Sequence, residues 1–336
     1  MTIQQNISLL PFNTFGLEAK AAHFAEIHSV KELRHCIRTG IQPIMILGGG
    51  SNMLLTGDLR GLVLKNSITG INLLRTFKNK VWVEVGGGEN WHQFVLWAVR
   101  NGLGGVENLS LIPGTAGAAP IQNIGAYGVE LKDVFVRLKA VSLETGKMKT
   151  FSHHECRFGY RDSIFKQEER GKWCISSVVF SLTKHKHHLN TSYGDIQRTL
   201  ENNGVNLPGI ADISRAVIQI RSSKLPDPAQ FGNCGSFFKN PETSQQVLQS
   251  ILASHPHAPY YPLENGLVKI PAGWLIEQCG WKGKRVGNTG CYEKQALVLV
   301  NYGGATGAEV KALAHSIIQS VEQKFDIRLE PEVNIL

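Results

Sequence analysis

The chain has 336 residues, of which 42% are hydrophobic and 18% charged, as in soluble globular proteins with two or three domains. A formal net charge of +8 favours anionic ligands such as nucleotides, but the basic residues are scattered, so we expect no nucleic-acid binding. We expect no signal peptide and no membrane insertion, because no basic segment precedes an apolar one and no 18-residue apolar run occurs. Six widely spaced cysteines without a CxxC pair predict reduced thiols and a cytoplasmic protein.

The first part of the chain predicts a β–α–β unit that leads into a glycine triplet. Ser29 and Glu32 have the spacing of a capping box for the helix. The strand at 43–47 then runs into GGGSN at 48–52, whose consecutive backbone amides predict a phosphate-binding loop. A tight turn between strands is the alternative, since neither a GxGxxG fingerprint nor a P-loop motif is present.

A second glycine-rich region spans residues 102–128, GLGGVENLSLIPGTAGAAPIQNIGAYG. It contains seven glycines and a single charged residue, Glu107. Glycine weakens helices and strands alike, so the segment predicts irregular backbone close to a large partner. Its backbone amides must be paired, and a phosphate-bearing ligand is the natural partner.

The remaining patterns predict a mixed α+β protein. Strands are expected at 80–85 (followed by a further triplet, 86–88), 134–143, 147–151, 173–183 and 296–301, and helices at 91–101, 195–203, 212–223, 242–254, 271–279 and from Thr306 to Phe325. The proline-broken stretch 224–228 reads as a domain boundary. The histidine-rich connector 184–190 lacks the spacing of a metal site, so we expect a solvated loop and no metal.

Six motifs stand in an order that resembles the UDP-N-acetylenolpyruvoylglucosamine reductase (MurB) family. They are GGGSN, IPGTAGAAPIQNIGAYG, FGYRDS, GSFFKNP, IPAGWLIEQCG and LEPEV. The resemblance extends from Asn13 to the C-terminus, and the segment around Tyr193 resembles the form of the family with a mobile tyrosine loop.

The resemblance implies an α+β fold with an FAD-binding part of the vanillyl-alcohol-oxidase type. This part comprises two α+β subdomains, residues 1–68 and residues 69–223, and the C-terminal strand 327–336, counted with the first subdomain, would return to the active site. A C-terminal α+β substrate-binding domain would span residues 224–326.

The implied reaction is the reduction of the enolpyruvyl ether of UDP-N-acetylglucosamine to UDP-N-acetylmuramate, with NADPH as the electron source. No side chain supplies a hydride, so a cofactor is required, and the resemblance implies FAD. Related oxidases often tether the flavin through histidine, but these glycine-rich loops carry only His92, on a predicted helix, so we expect non-covalent FAD. A flavin oxidase of another alcohol and a nucleotide-binding module without redox chemistry are the alternatives; a monomer is expected.

The resemblance assigns the chemistry to Arg161, Ser236 and Glu332. An arginine can grip a carboxylate and stabilise the enolate, a serine can deliver the proton, and the glutamate can orient the arginine or share in proton delivery. The residues alone equally allow a surface ion pair for Arg161 with Asp162 or Glu155, a local turn for Ser236, and a solvated Glu332, with Glu330 as competitor.

Further contacts are implied residue by residue. Those to the cofactor are Gly48, Gly49, Gly50, Ser51, Asn52, Pro113, Gly114, Thr115, Gly117, Ala118, Gln122, Asn123, Gly125, Ala126 and Tyr127. Those to the substrate are Tyr160, Tyr193, Lys224, Asn240 and Gln295, with Lys224 on the diphosphate and Tyr193 as a lid. Asn334 departs from the family pattern, in which an arginine often follows LEPEV.

Overall fold

A computed structural model describes residues 2–336, and its contacts divide the chain into two compact units. Unit 1 contains the residues up to Ile7, Ala21–Gly50 and Leu59–Ser223. Unit 2 contains Ser8–Lys20, Ser51–Asp58 and Lys224–Leu336. Two N-terminal segments thus group with the C-terminal part of the chain. The finer division into residues 1–68, 69–223 and 224–326 stays a prediction.

The strands within residues 2–336 are as follows. They are β1 (Gln4–Ser8), β2 (Lys20–Ile27), β3 (Ile44–Leu47), β4 (Met53–Leu54), β5 (Leu59–Asn66), β6 (Ile71–Phe77), β7 (Lys80–Gly86), β8 (Gly125–Ala126), β9 (Val129–Glu130), β10 (Phe135–Ser142), β11 (Met148–Ser152), β12 (Trp173–Thr183), β13 (Glu242–Thr243), β14 (Tyr261–Pro262), β15 (Val268–Lys269), β16 (Arg285–Val286), β17 (Thr289–Cys291), β18 (Leu299–Asn301) and β19 (Asn334–Ile335).

The α-helices of the same residues are α1 (Val30–Arg38), α2 (Trp91–Arg100), α3 (His153–Cys156), α4 (Ile196–Asn202), α5 (Ile210–Lys224), α6 (Gln245–Ser254), α7 (Ala272–Gln278) and α8 (Gly307–Phe325). Short 3₁₀ turns occupy Leu10–Phe12, Glu107–Leu109, Ala119–Gln122, Leu131–Asp133 and Ile164–Lys166.

Unit 1 contains the predicted β–α–β unit. Its four-stranded sheet has the order β1-β2-β5-β3, in which β2, β5 and β3 are parallel. Helix α1 connects β2 to β3, and the hydroxyl of Ser29 accepts a hydrogen bond from the amide of Glu32 (3.2 Å) at its start. The carboxylate of Glu32 accepts from the amide of His28 instead of closing the box on Ser29 (2.6 Å). The helix start is therefore confirmed.

A five-stranded antiparallel sheet of order β11-β10-β12-β7-β6 forms the second layer of unit 1. Helix α2 begins after Asn90, whose side chain accepts from the amide of Gln93 (3.0 Å), as the pattern predicts. Phe94 of this helix stacks on Phe180 of β12 with ring centroids 5.2 Å apart, and Trp91 meets the same ring edge-on. These buried rings fix α2 on the sheet and hence the loop that precedes it.

Unit 2 is built around α8 and its apolar face. Thr306 and Glu309 form a reciprocal capping box at the start of this helix, where the helix is predicted to begin. Val310, Leu313 and Ile317 on its apolar face are at most 3% exposed. They belong to a core shared with α6, α7 and the small sheets β13-β15-β14 and β16-β17-β18. The C-terminal β19 pairs in parallel with β4.

Two element boundaries in unit 2 differ from the sequence prediction. Helix α6 begins at Gln245 and not at Glu242, because Ser244 caps it by accepting from the amide of Val247 (3.3 Å). Glu242 and the next residue instead form β13 against β15. The strand expected at 296–301 is shorter, since its first residues belong to a turn closed by the hydrogen bond from the amide of Val298 to the carbonyl of Gln295 (3.0 Å).

Candidate functional site

The two predicted cofactor loops meet inside unit 1 in a close backbone contact, which leaves no room for a side chain at Gly49 and little at Gly48. A Cβ added to Gly49 would lie 2.7 Å from the Cα of Gly114, and one added to Gly48 would lie 3.0 Å from Oγ1 of Thr115. The backbone amides of Gly48 and Gly49 donate to no protein group within residues 2–336. A close pair of bare loops with unused amides fits the diphosphate of FAD.

The third glycine cluster, residues 86–88, has a different role. A Cβ on Gly87 would lie 2.1 Å from the carbonyl oxygen of Ile175, and one on Gly117 would lie 2.7 Å from that of Gly87. The amide of Gly87 donates to Ser176 (2.8 Å), and that of Gly117 donates to Gly87 (2.9 Å). These glycines therefore allow one backbone to pack on another, and they support the segment 102–128 through Gly117.

Four non-glycine residues of this region adopt the left-handed backbone conformation. Their φ angles are 58° at Leu111, 44° at Asn123, 50° at Tyr127 and 52° at Arg161. Such conformations cost about 1 kcal/mol or more and persist where surrounding bonds enforce them. The side chain of Asn123 illustrates this, because it donates to the carbonyl of Gly159 (2.9 Å). Left-handed residues of this kind cluster at functional sites.

Two residues hold the backbone of Leu111, and the sequence did not predict that they act together. Its amide donates to Nδ1 of His92 (2.9 Å), and its carbonyl accepts from Nε of Arg221 (3.2 Å). Arg221 also hydrogen-bonds Tyr127, and burial lowers the pKa of its guanidinium. Burial and the charge of Arg221 lower the pKa of His92, which therefore stays neutral and accepts at Nδ1. No spacing in the sequence distinguishes Arg221 from other helical residues.

Arg161 follows the glycine-rich segment 102–128 in the sequence and contacts it in the fold. Its Nη2 donates to the carbonyl of Gly125 (2.7 Å), and its guanidinium lies 5.6 Å from the ring centroid of Tyr160. Asp162, one of the ion-pair partners considered above, accepts from Nε2 of Gln167 (2.9 Å). The hydrogen bond to Gly125 uses one of the five N–H donors of the guanidinium and fixes the orientation of the guanidinium plane.

Ser236 and Glu332 are neighbours across two paired segments of unit 2. Ser236 is exposed and forms a bridge with Val298, and the next residue accepts a hydrogen bond at its carbonyl from the amide of Glu332 (2.8 Å). Burial, and secondarily the charge of Glu332, raise the pKa of the Cys234 thiol. Glu330, the competing glutamate, is 73% exposed and pairs with Lys239 (3.2 Å).

Asn334, the residue at which the chain departs from the family pattern, holds the C-terminal strand in place. Its backbone amide and its Nδ2 both donate to the carbonyl of Asn52 (3.2 and 3.1 Å). Nδ2 of Asn52 in turn donates to the carbonyl of Glu332 (3.5 Å). Asn52, predicted as a cofactor contact, therefore also helps to fix the position of Glu332.

The predicted substrate contacts are distributed over both units. Tyr160 and Tyr193 belong to unit 1, where Tyr193 is 52% exposed, and Lys224, Asn240 and Gln295 belong to unit 2. Asn240 accepts from the amide of Ala272 at the start of α7 (2.9 Å), and Gln295 accepts from that of Leu297 (3.3 Å). The assignment of these residues to the substrate stays a prediction.

The other predicted cofactor contacts also divide between the units. Ser51 belongs to unit 2, whereas the remainder belong to unit 1: Gly50, Pro113, Gln122, Ala118 and Ala126. Whether each touches FAD stays a prediction. Within residues 2–336, no group of three or more His, Cys, Asp or Glu is arranged to hold a metal ion, and no helix is long and apolar enough to cross a membrane.

Comparisons with known proteins agree with this geometry. Residues 21–152 match the family model of an FAD binding domain, and residues 227–336 match that of the UDP-N-acetylenolpyruvoylglucosamine reductase C-terminal domain. The crystal structure of UDP-N-acetylenolpyruvylglucosamine reductase (MurB) from Thermus caldophilus has a TM-score of 0.67 at 22% identity, over 100% of this chain and 99% of that chain. Fold and loops together define a flavoprotein of the vanillyl-alcohol-oxidase type.

The relatives define the family more narrowly. The UDP-N-acetylenolpyruvoylglucosamine reductase of Flavobacterium johnsoniae is 50% identical over 100% of both chains, and that of Chromobacterium violaceum is 49% identical over 100% of both chains. The chain belongs to the UDP-N-acetylenolpyruvoylglucosamine reductase family. It is an NADPH-dependent FAD oxidoreductase of peptidoglycan precursor synthesis, and thereby serves cell-wall biogenesis, cell shape and division.

Proposed function

We propose that Arg161, Ser236 and Glu332 perform the proton chemistry when the enolpyruvyl ether of UDP-N-acetylglucosamine is reduced to UDP-N-acetylmuramate. The observation that carries this proposal is the placement of Ser236 beside Glu332, through the hydrogen bond between the amide of Glu332 and the carbonyl of the residue after Ser236 (2.8 Å). The loops at Gly48, Gly49 and Gly114 would hold FAD non-covalently, and the bound cofactor would supply hydride-transfer chemistry between NADPH and one carbon of the double bond.

Arg161 binds the carboxylate of the substrate and stabilises the negative charge that develops beside it. The guanidinium stays protonated throughout, and its planar donors match a carboxylate in two parallel bonds. Its bond to Gly125 and its left-handed backbone orient it before substrate arrives, so little reorganisation is needed.

Ser236 donates the proton to the carbon next to the carboxylate. A serine hydroxyl is a weak acid, so the acceptor must be strongly basic, as an enolate carbon is. The exposure of Ser236 leaves its hydroxyl accessible to a ligand. Glu332 either orients Arg161 or, when protonated, shares in proton delivery.

The two glutamates of LEPEV provide a matched test of the assignment. Glu332→Gln should slow reoxidation of the reduced flavin by substrate by about 100-fold, the usual scale for removal of an acid–base group. Glu330→Gln removes the same charge two residues away, at an exposed ion pair, and should change this rate less than twofold. Stopped-flow flavin absorbance measures both. Equal effects of the two substitutions would contradict the role of Glu332.

We also propose that the protein acts as a cytoplasmic monomer that binds the UDP-sugar and NADPH and no nucleic acid. Its six cysteines, none of which forms a disulfide within residues 2–336, suit a reducing compartment. Light scattering of the holoenzyme coupled to size exclusion should give the mass of one chain. A mass of two chains or more at low protein concentration would refute the monomer.

A further inference from the structure

Lys65 lies directly beside the first cofactor loop, although nothing in the sequence analysis connects it with FAD. Strands β3 and β5 pair in parallel with Leu47 opposite Lys65, at the point where β3 ends and the glycine triplet begins. The half-buried side chain of Lys65 turns across this strand end, and its ammonium donates a hydrogen bond to the carbonyl of Gly48.

This hydrogen bond fixes the peptide plane between Gly48 and Gly49. In a trans peptide, the carbonyl of one residue and the amide of the next point in opposite directions. Because Lys65 holds the carbonyl of Gly48 on its own side, the amide of Gly49 must point to the other side. That amide donates to no protein group within residues 2–336.

Among residues 2–336, no carboxylate forms a close ion pair with Lys65. Glu26, its cross-strand neighbour on β2, is the acidic group that acts on it, and the carboxylate of Glu26 accepts from the hydroxyl of Ser67 (2.6 Å). Burial lowers the pKa of Lys65, and the charge of Glu26 opposes this. The ammonium is therefore a partly desolvated cation, which acts more strongly on a nearby anion than a solvated one.

We propose that Lys65 is a positioning residue for the FAD diphosphate: it holds the Gly48–Gly49 peptide with its amide toward the phosphate and adds a positive charge beneath the loop. The proposal rests on FAD as the cofactor of the function proposed above. Lys65 acts through the backbone of Gly48 and Gly49, and the absence of a side chain at Gly49 allows the loop to approach Gly114 closely.

Release of FAD from the purified holoenzyme tests this role. On dilution, free flavin fluoresces, and the FAD dissociation constant follows from the fluorescence as a function of protein concentration. Lys65→Met should raise this constant about tenfold, and the difference should shrink as KCl is increased, because salt screens charge. Lys65→Arg, which keeps both charge and donor, should stay within about threefold of the original protein.

Lys139→Met is the matched control, because it removes a lysine of unit 1 whose partner is Glu84 (2.9 Å) on the second sheet. It should leave FAD binding unchanged. If Lys65→Met does not fold, Lys65→Gln keeps a polar donor and isolates the charge, with about a threefold to tenfold loss expected. Equal FAD binding by the original protein and the neutral variant would overturn the role of Lys65. Absence of FAD from the original protein would instead refute the cofactor assignment.

Discussion

The three side chains to which we assign the proton chemistry are ordinary residue types, so their contacts must orient them. Arg161 donates a hydrogen bond to the carbonyl of Gly125, and Glu332 is hydrogen-bonded through both its backbone amide and its carbonyl. Ser236 lies on a segment whose next residue accepts from the amide of Glu332. Each residue therefore depends on backbone groups as much as on its own functional group.

Ser236→Ala should separate the two halves of the reaction. Reduction of the flavin by NADPH needs no proton from this hydroxyl, so its rate should change less than twofold. Reoxidation by the enolpyruvyl substrate should slow by about 100-fold or more, since the proton donor is lost. Rapid-mixing absorbance at the flavin band measures each half separately. Equal slowing of both halves would contradict a proton-donor role.

The spacing of residues in the sequence could not predict which residues of the site have which role. The sequence does not separate Ser236 from any other serine that follows glycine, and only family resemblance selected it. The hydrogen bonds of His92 and Arg221 to the backbone of Leu111 were not predicted. His92 belongs to α2 and Arg221 to α5, so the two side chains come together only after folding. Backbone strain at Leu111 and Arg161 is equally invisible in a sequence, since it depends on tertiary bonds.

At the level of elements, the β3 end and the 102–128 segment act as one structure. The approach of Gly49 to Gly114 leaves no space for a side chain, while the amides of Gly48 and Gly49 donate to no protein group within residues 2–336. The glycine triplet 86–88 packs against the 102–128 segment where the amide of Gly117 donates to the carbonyl of Gly87. Glycine therefore serves two purposes here: it leaves backbone amides available at the first loop, and it allows backbone packing at the triplet 86–88.

Gly49→Ala should disturb this element. Its Cβ would lie 2.7 Å from the Cα of Gly114, so the loop must shift, and overpacking of this kind costs about 1–3 kcal/mol. We expect a lower thermal midpoint and weaker FAD binding, measured by thermal unfolding and flavin release. Gly57→Ala is the control, because its Cβ would meet nothing within 4 Å. Comparable losses in both variants would argue against the close approach of the loops.

Local patterns predicted elements well where capping residues or a strong period defined them. Asn90 starts α2, Thr306 starts α8, and β12 covers Trp173–Thr183 as expected. The start of α6 was wrong because β13 pairs with a distant strand, and such pairing overrides a local helical pattern.

At the level of the whole molecule, the residues that we propose for cofactor binding and catalysis belong to two compact units. Gly48, Gly49 and Arg161 belong to unit 1, and Ser51, Asn52, Ser236 and Glu332 belong to unit 2. The two N-terminal segments of unit 2 were not foreseen, because their grouping depends on contacts with residues far along the chain, such as β4 with β19.

Thiol labelling should report on the integrity of both units. Burial raises the pKa of Cys156, Cys174 and Cys291 to about 12, and Cys279 is the single cysteine that is not fully buried. Burial also raises the pKa of Cys279, so at pH 8 at most about one thiol per chain should react, and slowly, because thiolate is the reactive form; all six should react in denaturant. Rapid reaction of several thiols in the native protein, or fewer than six without reductant, would contradict this expectation.

The central claim is that this chain binds FAD and passes electrons from NADPH to an enolpyruvyl UDP-sugar. The most direct test follows the flavin absorbance of the holoenzyme without oxygen. NADPH should bleach the flavin band, and one equivalent of enolpyruvyl-UDP-N-acetylglucosamine should restore it while one equivalent of UDP-N-acetylmuramate forms. A flavin that stays bleached with this substrate, and recovers only with oxygen, would contradict the account.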